Sequence, residues 1–180
     1  MTLEEYIARL NSLAFWKEFT FAQNKFVPDS GSELELADNL VWLGKYAFVL
    51  QLKERNGAGA DPKGERDWFR NKVLGKATRQ IRDSLRFLDE HKKIRITNER
   101  GHSFNIKGAE LSRITKIVVF LGGRALPEDC RQTRYHVSDT AGFIHILAAH
   151  DYLVRFSHEG HVTTRPGSLM ELLGGLGVAN

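Results

Sequence analysis

Three polar side chains interrupt an apolar stretch at residues 35–55, which reads ELADNLVWLGKYAFVLQLKER. Asp38 brings a carboxylate, Gln51 an amide and Lys53 an ammonium into residues dominated by Leu, Val, Trp, Phe and Ala. Carboxylate and amide oxygens suit a hard cation such as Mg²⁺. A neighbouring ammonium can orient or help deprotonate a water and stabilise charge that develops on phosphorus. These residue types favour metal-assisted cleavage of a phosphodiester.

The same stretch predicts a β-hairpin that would bring the three groups together. Gly44 and Lys45 suit a two-residue type II′ turn, and residues equally distant from that turn are partners, which places Asp38 opposite Gln51. Directly opposed residues have Cβ atoms about 4.5–5.5 Å apart. Lys53 projects to the same side because side chains alternate along a strand. An alternative stays open, in which Asp38 and Lys53 form only an ion pair on a half-exposed surface.

Helices are predicted on both sides of this hairpin, which is expected to span 34–54. Thr2 followed by Glu5 is a capping-box pattern, and it predicts a first helix over 2–19. Apolar residues recur every three or four positions over 65–93, which predicts a long amphipathic helix with a basic outer side. The core order is therefore helix, hairpin, helix and strand.

The remainder of the chain predicts further elements. A second hairpin is expected over 93–106 and a continuous, buried strand over 114–123. Beyond it we predict a strand at 134–138, an apolar helix over 141–156, a turn at Pro166–Gly167 and a short helix over 168–176. Residues 1–122 would form the core domain, and residues 123–180 a C-terminal α/β extension packed on the same domain.

The motif in the hairpin resembles that of the PD-(D/E)xK nuclease superfamily. Asp38, twelve intervening residues and then Gln51-Leu52-Lys53 follow its pattern, in an α-β-β-α-β order over about residues 4–122. Ala37 stands where the motif has Pro, and Gln51 replaces the second acid, as in the restriction-like subunit of some cut-and-paste transposases. The resemblance implies an α/β, restriction-endonuclease-like fold with a central mixed β-sheet flanked by helices.

The resemblance also implies roles for individual residues. Asp38, Gln51 and the backbone carbonyl of Leu52 would bind Mg²⁺ or Mn²⁺, and Lys53 would be the catalytic cation. Such nucleases often place an acid on the first helix, for which Glu18 is the best candidate; an ordinary solvated charge is the alternative. Glu4 and Glu5 lie nearer the start of that helix, where carboxylates also serve its dipole. Strand alternation predicts that three other acids face away from Asp38, namely Glu33, Glu35 and Glu54.

The second helix offers further candidates. Gln80 would hold a water or a phosphate oxygen beside the metal, and Lys76 would contact a backbone phosphate. Lys72 and Arg79 would add to the nucleic-acid-binding side, unless this basic face is simply solvated.

The composition of the chain limits which partners, metal sites and cofactors we expect. Lys and Arg number 26 against 22 acids, which gives a net charge of +4 and a mild preference for polyanionic partners. The single cysteine, Cys130, excludes an internal disulfide and argues against a cysteine-based zinc site. No apolar run reaches the roughly 18 residues of a membrane span, and no GxGxxG or Walker pattern predicts an organic cofactor. We expect a cytoplasmic protein.

Together these features predict a Mg²⁺-dependent nuclease acting on DNA, a homodimer if it cuts both strands symmetrically. The alternative is a catalytically weak or inactive module of the same fold. Such a module would bind nucleic acid or a partner protein in a defence or mobile-element complex, and Gln51 keeps this alternative open.

Overall fold

A mixed sheet of six strands forms the centre of the fold. The computed structural model describes residues 1–22, 24–28, 31–44, 46–57, 61–91, 94–106 and 114–159, with side chains up to residue 154. The helices are α1 (Leu3–Ala14), α2 (Trp16–Phe19), α3 (Pro62–Trp68), α4 (Ala77–Glu90), α5 (Glu128–Arg131) and α6 (Ala149–Glu159). The strands are β1 (Thr20–Ala22), β2 (Lys25–Phe26), β3 (Leu34–Glu35), β4 (Asn39–Leu43), β5 (Tyr46–Glu54), β6 (Ile94–Thr97), β7 (Ser103–Ile106), β8 (Ile114–Leu121), β9 (Tyr135–Ser138) and β10 (Gly142–Ala148).

The six strands lie in the order β1-β4-β5-β8-β10-β9. β5, β8 and β10 run parallel to one another, whereas β1, β4 and β9 are antiparallel to their neighbours. Residues of α1 and α6 pack on one face of the sheet, and residues from α3 to α4 pack on the other. The predicted α/β class with a mixed central sheet flanked by helices is confirmed.

The hairpin of β4 and β5 has the predicted register, with Leu40 opposite Val49 and Leu43 opposite Tyr46. Gly44 has a φ of 63°, the left-handed region that the turn requires. The first strand was predicted to begin at residue 34, and this is wrong. β3 pairs with β2 in a separate two-stranded sheet, because the backbone leaves one ladder at Leu36 before joining the other at Asn39.

The first helix begins with the predicted capping box between Thr2 and Glu5. It ends at Ala14 rather than at residue 19, because Trp16 has a φ of 60°, outside the helical region, and α2 is a separate turn. The second predicted helix is present as α3, a π-helical segment over Phe69–Lys76, and α4. Asp61 caps its start by accepting a hydrogen bond from the backbone of Gly64 at 2.8 Å.

The predicted hairpin over 93–106 is present as β6 and β7, and the predicted buried strand is β8, between β5 and β10. None of the described helices is both long and apolar enough to cross a membrane.

The apolar helix predicted over 141–156 is wrong in its first half. Residues 142–148 form β10, and only the residues from Ala149 onward are helical. The physical reason is a period of two: Ile144 and Ile146 are buried, whereas Phe143 and His145 are exposed. β10 thus extends the same sheet as the core, and Tyr152 of α6 donates a hydrogen bond to Asn11 of α1 at 2.7 Å. The turn at Pro166–Gly167 and the helix over 168–176 lie outside the described residues.

Candidate active site

A cleft of about 670 Å³ opens at the carboxyl end of β5. Its lining comes from the start of α1, from β3 and Asp38, from the end of β5, and from the long helix between Trp68 and Gln80. In open α/β sheets the carboxyl ends of parallel strands are the usual place for ligands, because the loops there diverge and leave a crevice. The sheet therefore places the polar end of the hairpin where a ligand can reach it.

Asp38 and Lys53 form an ion pair on the floor of this cleft. Lys53 Nζ lies 3.2 Å from Asp38 Oδ2 and donates to the carbonyl oxygen of Leu52 at 2.7 Å. The same Oδ2 accepts a hydrogen bond from the backbone of Leu52 at 2.5 Å. The side chains of Lys53 and Asp38 are only 11% and 9% exposed, so they do not form the surface pair that the sequence left open. The hydrogen bonds with the backbone of Leu52 thus fix the positions of both the carboxylate and the ammonium.

Gln51 does not line the cleft itself but lies two residues before Lys53, on the same face of β5. The residue is 2% exposed, and its Oε1 accepts no hydrogen bond from the described residues. The ladder between β4 and β5 stops at Asn39 and Leu50, one residue short of the predicted pairing of Asp38 with Gln51. Asp38 contacts the backbone of Leu52 instead. A buried acceptor without a partner is costly, so this oxygen calls for an explanation.

The donor set fits a hard divalent cation. Asp38 provides a carboxylate, Gln51 an amide oxygen that accepts no hydrogen bond from the described residues, and Leu52 a carbonyl oxygen, which can accept two hydrogen bonds and receives one from Lys53. Among the described residues no group of three or more His, Cys, Asp or Glu side chains could hold a metal ion. A metal here would therefore rely on neutral oxygens for most of its protein ligands.

Further acids line the same cleft as Asp38. Burial and then the charges of Asp38 and Glu4 raise the pKa of the Glu35 carboxyl above its usual value. Glu4 and Glu35 both line the cleft. The prediction that Glu35 faces away from Asp38 is wrong, because strand alternation holds only within one strand and β3 belongs to another sheet. Glu54 does turn toward α1 and accepts a hydrogen bond from Leu3 at 3.0 Å, at the rim of the cleft.

Glu18, the acid predicted from the first helix, is not in this cleft. Its carboxylate lies 2.8 Å from Arg100 Nε, and it lines a second cavity with Trp16 and Phe19. The acid of the first helix that does reach the cleft is Glu4, in the opening turn. The chain leaves the helical conformation at Trp16, so Glu18 is not part of α1. No spacing pattern in the sequence predicted that break.

The long helix forms the basic wall of the cleft. Lys72, Lys76 and Gln80 follow one another at intervals of four and all line it, whereas Arg79 does not. Gln80 Oε1 is buried and, like that of Gln51, accepts no hydrogen bond from the described residues. Lys72 lies inside the π-helical segment and Lys76 ends it. Such segments are rare and often occur at functional sites.

Sequence reasoning missed Arg55 and Trp68, which also line the cleft. Arg55 could have been found, because it lies two residues beyond Lys53, and every second side chain of an extended chain points to the same side. The position of Trp68 depends on where the helix packs, which no local pattern indicates.

The chain matches no protein-family model, no curated protein and no solved structure. Inference about its function therefore rests on the geometry of the site.

Proposed function

We propose that this protein is a metal-dependent nuclease of the restriction-endonuclease-like fold that hydrolyses phosphodiester bonds in DNA. The observation that carries the proposal is the nearly buried pair of Asp38 and Lys53 on the floor of the cleft, together with the buried amide oxygen of Gln51 on the same face of β5, which accepts no hydrogen bond from the described residues. The order of helix, hairpin, crossover helix and parallel strand supports it.

Each residue has a separable role in this proposal. Asp38, Gln51 and the Leu52 carbonyl would hold Mg²⁺ or Mn²⁺, which when bound supplies Lewis acidity and an acidified water. Lys53 has three N–H donors, of which two are directed to Asp38 and Leu52. The third is left for a non-bridging oxygen of the substrate, whose charge grows during attack on phosphorus.

Charged groups of both signs line the cleft. Glu4, Glu35 and Asp38 lie near one another, and a divalent ion bound to Asp38 would offset their repulsion of a phosphate. Lys72 and Lys76 on the opposite wall offer cations to flanking phosphates. The cleft thus divides into a metal side and a phosphate side.

The test is cleavage of supercoiled plasmid by the pure protein with Mg²⁺ or Mn²⁺, and its loss in EDTA. Lys53→Ala should abolish cleavage and retain the circular dichroism of the wild type. Lys63→Ala is the matched control, since Lys63 is an exposed lysine of α3 outside the cleft. Cleavage by Lys53→Ala at the wild-type rate would refute the assignment.

A second function is favoured by one specific observation. Gln51 leaves Asp38 as the only carboxylate among the three proposed metal ligands, which weakens the expected affinity for the ion. A module that binds nucleic acid or a partner protein without cutting would have this property. Salt-sensitive DNA binding with no cleavage at any Mg²⁺ or Mn²⁺ concentration would identify it.

A further inference from the structure

Arg55 presents a fixed guanidinium to the cleft, directly after the end of β5. Its Nε donates a hydrogen bond to Glu65 Oε1 at 2.9 Å, and its side chain is 31% exposed. Its two Nη groups make no hydrogen bond within the described part of the chain, and the residue lines the cleft together with Lys53 and Lys72. One edge of the guanidinium is therefore anchored, and the other remains for a ligand.

The anchor is a fully buried carboxylate. Glu65, on α3, has an exposed fraction of zero, and its second oxygen, Oε2, accepts a hydrogen bond from the backbone of Gly123 at 2.9 Å. A Cβ atom on residue 123 would lie 2.8 Å from Glu65 Oε1, so any side chain there would have to displace the carboxylate from its hydrogen bonds. Since both oxygens are engaged, the carboxylate holds Arg55 in one orientation.

We propose that Arg55 and Lys72 form a second phosphate-binding subsite for a polynucleotide, with Glu65 as its positioning residue. This inference rests on the proposed nuclease function and names how the substrate is held. Two residues of extended chain span about 6.6 Å, so Lys53 and Arg55 would reach different phosphates of one nucleic-acid strand. A guanidinium with a free edge matches two phosphate oxygens, which a lysine cannot do.

The test measures binding rather than cleavage. Fluorescence anisotropy of a labelled DNA duplex in EDTA, over a series of salt concentrations, gives the affinity and the number of phosphates neutralised. Arg55→Gln should weaken binding roughly threefold to tenfold and reduce the salt slope by about 0.9. Arg55→Lys keeps a cation for Glu65, so it should melt near the wild-type temperature and yet lose affinity. Wild-type affinity in Arg55→Lys would overturn the proposal.

The Glu65→Gln variant distinguishes a role in orienting Arg55 from an effect of net charge, because the two predict opposite changes in DNA affinity. Removing a negative charge beside the cleft should tighten DNA binding if only net charge matters. Both partners of Glu65 are N–H donors, and an amide has one oxygen, so the variant releases one of them. The positioning role therefore predicts weaker binding, and no further loss when Glu65→Gln is added to Arg55→Gln. Tighter binding, or additive losses in the double variant, would refute it.

A neighbouring ion pair supplies the matched controls. Arg66 and Asp129 have side chains 43% and 61% exposed, and neither lines the cleft. Arg66→Gln and Asp129→Asn change the same charges as the two test variants and should leave DNA affinity within twofold of the wild type. If Glu65→Gln fails to fold, as judged by circular dichroism, the DNA affinity of Arg55→Lys alone tests the proposed subsite.

Because the assay contains no metal, its outcome is independent of catalysis. A protein that binds DNA with these losses but never cuts retains the subsite and refutes the nuclease. A protein that cuts but whose affinity is indifferent to Arg55→Lys and Glu65→Gln refutes the subsite alone.

Discussion

Replacing Gln51 with methionine should make the protein more stable while it removes one ligand of the proposed metal site. The amide oxygen is buried without a described partner, and burial of an unsatisfied polar group costs about 1–3 kcal/mol. Methionine has a similar shape and no such requirement. At this chain length each kcal/mol corresponds to about 2–4 °C in Tm. We therefore expect Gln51→Met to melt about 2–12 °C higher than the wild type in EDTA.

The magnesium dependence of Tm gives the second half of this prediction. A ligand that binds only the folded state adds about 2.7 kcal/mol at a hundred times its Kd. Wild-type Tm should therefore rise with Mg²⁺, and the Tm of Gln51→Met should not. Gln132→Met replaces an exposed glutamine whose one side-chain hydrogen bond, to Glu128, lies on the surface, so its Tm should change little and equally in both buffers. A lower Tm for Gln51→Met in EDTA, or an undiminished response to Mg²⁺, would refute the reasoning.

Three further changes test the surrounding structure by thermal unfolding. Gly123→Ala should lower Tm by about 2–12 °C, since its Cβ would press on Glu65 Oε1 and overpacking costs about 1–3 kcal/mol; an unchanged Tm would contradict that contact. Glu35→Gln should raise Tm at pH 7 and not at pH 4. The pKa of Glu35 is raised in the folded state, so its ionisation opposes folding once the pH exceeds the ordinary value of 4.5; a gain that persists at pH 4 would exclude this cause. Trp16→Gly should raise Tm by about 2–4 °C per kcal/mol of strain relieved, because the side chain is 67% exposed and its φ of 60° favours glycine; a fall in Tm would mean that the indole packs more than its exposure indicates.

Much of the fold could be predicted because short-range patterns determine it. The register of the hairpin followed from one turn, since every partner counts outward from Gly44. The capping box and the apolar period located α1 and the long helix for similar reasons. β10 was mistaken for a helix because Phe143–Ala148 is apolar at almost every position, so the period of two was visible only in burial.

Only those residues of the candidate site that lie on one strand could be predicted from the sequence. Lys53 shares a face with Gln51 by strand alternation, and that relation needs no knowledge of the rest of the chain. Glu35 and Glu4 reach the cleft through the packing of β3 and α1, which depends on contacts between distant residues. Glu18 was a reasonable choice until the backbone at Trp16 left the helical region. Local rules therefore located the strand-borne groups and failed for the acids around them.

The parallel pairing of β5 with β8 also has a consequence for the order of folding. Leu50 pairs with Ile117, so the loop that this pairing closes contains all of α3 and α4, whereas the hairpin of β4 and β5, which Asp38 directly precedes, closes locally. Local contacts form early and long-range pairing forms late, because closing a long loop costs entropy before its contacts can stabilise the pairing. The hairpin would thus exist in a nascent chain before the helical wall and the anchor at Gly123 complete the cleft. Synthesis of the chain past β8 is then required before the cleft is complete.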